Sequence, residues 1–194
     1  VGAGVFIWAE DQDTGEFRPL ECNDQGALKV DAGVAGVWEH IETKTLASDT
    51  ARSGFSGLST DYNFFRLTMF VKTTYINEEV LHILFNDDEA ANYNCEVLRA
   101  VGSNVYAASY SDLSYGYVGY CHPGYFVMVT IHIQNKAAGD NKVALCQIAE
   151  VESQVNISSI RWANTSSKIT EIDFLFPTGD LAVGSKFILE GTKE

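Results

Sequence analysis

The sequence predicts an all-β protein: a jelly-roll β-sandwich preceded by an extended N-terminal arm. Three observations carry that expectation. Apolar residues recur with period two in run after run, the mark of strands with one buried face, while helical periodicity is scarce. The runs are separated by turn signals such as Asn86-Asp87-Asp88, Ala138-Gly139-Asp140-Asn141 and Pro177-Thr178-Gly179-Asp180. The 194 residues, 46% hydrophobic and 20% charged, suffice for one domain with a short appendage. A chain of this size buries roughly 70% of its unfolded surface, so it needs no disulfide or structural metal.

Residues 1–36 read as the arm and linker, a string of short extended pieces. They are punctuated by Asp13-Thr14-Gly15, Asn23-Asp24-Gln25-Gly26 and the small residues Ala32 to Gly36. Val5-Phe6-Ile7-Trp8 is apolar and too short to supply its own core, so it needs another surface. Residues 37–194 form the predicted β-jelly-roll domain. Its first strand lies around Trp38 to Leu46. Phe65, Leu67, Met69 and Val71 then alternate with Phe64, Arg66 and Thr68, and Leu81, Ile83 and Phe85 with Val80, His82 and Leu84. Val127, Val129, Ile131 and Ile133 alternate with Phe126, Met128, Thr130 and His132, and Ile172, Phe174 and Phe176 with Glu171, Asp173 and Leu175. Further strands are expected around Asn92 to Val101, Val143 to Val151, Ile157 to Trp162 and Lys186 to Glu190, for a total of about eight or nine.

Charge and motif content narrow the function. With 26 acidic and 13 basic residues the formal charge is −13, and no Lys/Arg cluster offers phosphate contacts, so nucleic acid is not an expected partner. The longest nearly apolar run, Phe126 to Ile133, is too short to span a bilayer, so no membrane partner is expected, and no signal-peptide pattern opens the sequence. Cys22, Cys95, Cys121 and Cys146 are scattered without a C-x-x-C pair and read as free thiols. His40, His82, His122 and His132 lack metal-ligand spacing, and His82 and His132 are placed on outer sheet faces. Gly54-Phe55-Ser56-Gly57 lacks the second glycine of a nucleophile elbow and reads as a turn before a strand. Asn86-Asp87-Asp88-Glu89 lacks the EF-hand pattern and reads as a solvated turn. Asn156-Ile157-Ser158 and Asn164-Thr165-Ser166 match the glycosylation pattern, which matters only in a secretory pathway. No catalytic residue, metal or cofactor is expected.

One stretch stands out by composition. Tyr106, Tyr110, Tyr115, Tyr117, Tyr120 and Tyr125, six of the nine tyrosines, are mixed with Ser and Gly in the manner of binding loops. They are the expected subunit or ligand contacts.

Two sets of residues resemble structural proteins of tailed bacteriophages. Phe17-Arg18-Pro19-Leu20, followed by Gln25-Gly26-Ala27-Leu28-Lys29-Val30-Asp31, resembles the arm that opens many of them. The span from Trp38 to Gly191 is similar to the β-jelly-roll domain of phage head decorations, head fibres and tail components. The matching pieces are Phe55-Ser56-Gly57-Leu58, Ile83-Leu84-Phe85-Asn86-Asp87-Asp88 with Asn92-Tyr93, Ile169-Thr170-Glu171-Ile172, and Gly184 to Gly191. Glu190 stands where that group commonly has Tyr, and Glu89-Ala90 where it has small polar residues. The resemblance implies a non-enzymatic virion protein attached to a major capsid protein or to neighbouring tail proteins. It also implies a homo-oligomer, with a trimer as the first form to test. Attachment falls to the arm through Val5, Phe6, Ile7, Trp8, Phe17, Leu20, Leu28 and Val30. The alternative is a carbohydrate- or receptor-binding β-sandwich, with Tyr115, Tyr117, Tyr120 or Trp162 stacked on sugars and the Asp87-Asp88 loop holding calcium.

Overall fold

The computed structural model describes residues 8–10, 17–19, 37–136, 139–150 and 154–193. Backbone contacts divide the chain into Val1–Val37 and Trp38–Glu194. In the first unit β1 (Trp8–Glu10) pairs antiparallel with β2 (Phe17–Pro19), Trp8 opposite Pro19 and Glu10 opposite Phe17. The other expected attachment residues, Val5, Phe6, Ile7, Leu20, Leu28 and Val30, lie outside the described residues, as does Cys22.

The second unit contains β3 (Glu39–Thr45), β4 (Arg52–Ser56), β5 (Phe64–Val71), β6 (Glu79–Phe85), β7 (Tyr93–Val101) and β8 (Asn104–Leu113). It continues with β9 (Gly116–Cys121), β10 (Val127–Gln134), β11 (Lys142–Ala149), β12 (Gln154–Trp162), β13 (Glu171–Leu175) and β14 (Lys186–Thr192). No helix occurs among the described residues. The large sheet runs β3-β14-β5-β10-β11-β12-β7-β8 and the small sheet β4-β13-β6-β9. Eight of these strands, β3-β14-β5-β10 in the large sheet and β4-β13-β6-β9 in the small one, follow the jelly-roll order, while β6 and β9 pack on β7, β11 and β12. The pairs β7-β8 and β11-β12 are insertions that widen only the large sheet. The strands of this unit beyond the eight or nine expected are β4, β8 and β9.

The core lies between the sheets. Period-two burial is cleanest on β11, where Val143, Leu145, Gln147 and Ala149 are exposed and their alternates buried. Phe85 of the small sheet packs on Tyr93 and Trp162 of the large one, with ring centroids 6.2 and 5.7 Å away. Phe174 stacks on Phe187 across the layers at 5.9 Å. The Phe85 N–H donates to the Tyr93 hydroxyl at 2.9 Å, so the aromatic cluster satisfies its polar tip internally.

Three sequence expectations are corrected here. Gly54-Phe55-Ser56 is not a turn but the end of β4, with Phe55 buried; its small residues hid a five-residue strand. The tyrosine-rich stretch, loop-like in composition, is mostly β8 and β9, with Tyr115 and Tyr125 in bends outside them. His82 is not on an exposed face. It is buried and stacked on Tyr115 at 3.5 Å, because β6 is covered on both sides. His132 does face outward from β10.

Candidate functional site

The predicted tyrosines separate into one cluster and two outliers. β8 is the last strand of the large sheet, pairs with β7, and is exposed on both faces because the four-stranded partner sheet does not reach it. On its inward side Tyr106, Ala108 and Tyr110 follow at strand period, with the small Ala108 leaving a gap between two rings. β9, the facing edge of the small sheet, crosses β7, β11 and β12. Tyr117 and Tyr120 are three residues apart, and strict alternation would turn them to opposite faces. A bulge intervenes: the register with β6 shifts between Leu81 and His82, and Gly119 takes a φ of 151° that suits glycine. Both rings therefore reach the same slot.

The slot has a volume of about 190 Å³ and is lined by Tyr106, Tyr110, Tyr117, Tyr120, Arg99, Val97, Ala107 and Ala108. Tyr110 stacks on Tyr117 with centroids 5.5 Å apart and planes 9° from parallel, and Tyr117 meets Tyr120 edge-on at 5.7 Å. The Arg99 guanidinium lies 3.9 Å from the Tyr120 centroid, a cation–π contact. Arg99 is fixed by donating to Gln154 Oε1 at 2.7 Å and by an ion pair with Glu78. The Tyr117 hydroxyl is buried without a hydrogen-bond partner, and burial followed by the adjacent Tyr120 phenol pushes its pKa up. No carboxylate, imidazole or thiol lines the slot. It can hold a ligand by stacking and hydrogen bonding, and it offers no nucleophile or general base.

Tyr115 and Tyr125 stand apart from this cluster. Tyr115 covers His82, and Tyr125 lies 6.4 Å from His122 by ring centroid. Trp162 is fully buried and donates from Nε1 to Asp88 at 2.7 Å, so it is closed to a sugar. Asp88 also accepts from Asn92 Nδ2 and the Ala90 N–H, while Arg52 pairs with Asp87 at 2.6 Å and Asp173 at 2.7 Å. The acidic loop is thus tied down by its neighbours, and no group of metal-ligating side chains occurs among the described residues. Cys95, Cys121 and Cys146 are free and buried; desolvation raises all three thiol pKa values, Cys146 to about 12. Asn156 is fully buried on β12, which removes that glycosylation pattern from any modifying enzyme.

A second surface escaped the sequence reading. On the outer face of the large sheet one cross-strand row runs Thr43, Ile188, Thr68, Thr130, Gln147, Ile157, Leu98, Ala107 across all eight strands without a charge. The adjacent row is apolar over six strands, Phe70, Met128, Ala149, Val155, Ala100, Val105, and ends at the exposed Lys186 beside Phe70 on β14. Met128, Val155 and Leu98 are each 46–48% exposed. At about 4.8 Å per strand the longer row spans roughly 34 Å. The signal was present as uncharged outward positions, but it emerges only when the register aligns five separate stretches of chain. Arg99, likewise, carried no sequence signal.

No family model matches the chain, and no curated protein matches it. Among solved structures arcelin-5, a lectin-like defense protein from Phaseolus vulgaris, is similar at 7% identity over 77% of this chain and 92% of that one. Its TM-score of 0.19 is too low to bear on fold or function.

Proposed function

We propose that this chain is a non-enzymatic structural subunit of a tailed-bacteriophage virion, decorating the capsid or forming part of a fibre or tail. In this reading residues 1–36 attach it to other virion proteins and the jelly roll assembles into a homo-oligomer. The observation that carries the assembly role is the pair of uncharged rows on the outer face of the large sheet. A chain of charge −13 repels its own copies. Its copies approach most easily where that charge is absent, and exposed apolar patches of this extent mark interaction surfaces. The length of the rows suits an interface of ordinary size, about 800 Å² per partner. The particle setting rests on the resemblance of the arm and strand-end motifs to phage virion proteins.

The test combines light scattering with binding to particles that lack the protein. A defined oligomer that binds such particles supports the reading. Deleting residues before Ala32 should abolish binding while the truncated chain keeps its cooperative unfolding transition. A truncated protein that still loads particles at full stoichiometry removes the arm from the attachment role.

A further inference from the structure

The geometry points to the slot between β8 and β9 as a binding site for one ring of a neutral glycan, a function beyond assembly. Three properties select this ligand class. Tyr106 and Tyr110 remain 55% and 38% exposed and flank the gap over Ala108, so they offer aromatic faces to a flat, partly apolar ring. Phenol and guanidinium groups at the margins match the hydroxyls of a sugar, as in pockets where a few polar groups orient an otherwise apolar contact. Arg99 is already neutralised by Glu78, and no carboxylate lines the slot, so nothing there favours an anion or a cation. The walls are side chains held by stacking on one another, so the site is preformed rather than assembled on binding.

The site is tested on the full chain with a panel of neutral oligosaccharides of glucose, galactose, mannose and N-acetylglucosamine. Binding is read by calorimetry and by shifts of tyrosine NMR signals, with decaproline as the competing probe. At least one glycan should bind. Tyr110→Ala and Tyr106→Ala should each weaken it about ten-fold, the loss expected for one aromatic stack. Tyr115→Ala and Tyr125→Ala should leave affinity unchanged. Because Tyr106 is exposed, Tyr106→Ala should keep the parent's thermal midpoint and oligomeric mass, and Tyr110→Ala, which also loses the stack on Tyr117, should keep its oligomeric mass and a cooperative transition at a slightly lower midpoint, which separates a lost site from a lost fold. Silence across the panel overturns the inference. So does glycan binding indifferent to Tyr106 and Tyr110, or binding of decaproline that depends on them.

Discussion

Asn86 shows how much a single turn residue can hold. Its backbone sits in the left-handed region at φ 53°, which asparagine tolerates better than most residues, and Asp87 follows at 56°. Its side chain donates to the Lys168 carbonyl at 2.9 Å and accepts from the Thr170 and Glu171 N–H groups at 2.8 and 3.0 Å, stitching the end of β6 to the start of β13. Asn86→Ala should therefore lower stability by about 2–4 kcal/mol in urea unfolding, since it combines an unfavourable φ with partly buried donors and acceptors left unpaired. Asn86→Gly should recover only the backbone part. His82 gives the residue scale a pH signature. Burial pushes its imidazole from 6.5 down to about 4, so the folded state holds it neutral while the unfolded chain protonates it first. Its contribution is present above pH 6.5 and is lost as pH falls toward 4, by at most about 3 kcal/mol. His82→Phe, which can keep the stack on Tyr115, should flatten the stability profile across that window. A variant with the parent's acid slope would assign the loss to carboxylates instead.

At the level of elements, β9 is the most constrained strand. Its glycines let it press against the large sheet: a Cβ on Gly116 would stand 2.6 Å from Ile83 Cγ2 and 2.9 Å from Ile160 Cγ2. Gly116→Val should cost roughly 1–3 kcal/mol through overpacking and lower the thermal midpoint, read by circular dichroism. The same tightness explains what the sequence could and could not reveal. β5 and β10 each bury one face, so their alternation was plain, and their predicted core residues are buried. β9 is largely buried on both faces and β8 exposed on both, so neither alternates. Their Tyr, Ser and Gly then read as loop composition. The composition singles out six tyrosines, and the bulge at Gly119 and the stack on His82 decide which four line one slot. Both depend on pairing partners distant in sequence.

For the whole molecule, the decisive property is where charge is missing. Ile157→Glu places a carboxylate in the middle of the uncharged rows. On the proposed assembly it should convert the oligomer to monomer by light scattering while changing monomer stability by no more than about 0.5 kcal/mol, as for other exposed positions. An oligomer of unchanged mass would take this face out of the subunit contact. The fold class was legible because the one-sided burial of a two-layer sandwich repeats along several long strands, β5 and β10 among them. The location of the uncharged rows was not, because it is a property of strand order.

The unequal widths of the two sheets carry one more consequence. Where eight strands overhang four, the outermost strand, β8, contributes little to the buried interior. Tyr106, Ala107 and Tyr110 are therefore released from the selection that folding imposes on β5 or β10. Such a margin is where a protein engineer could randomise side chains and expect most of the library to express.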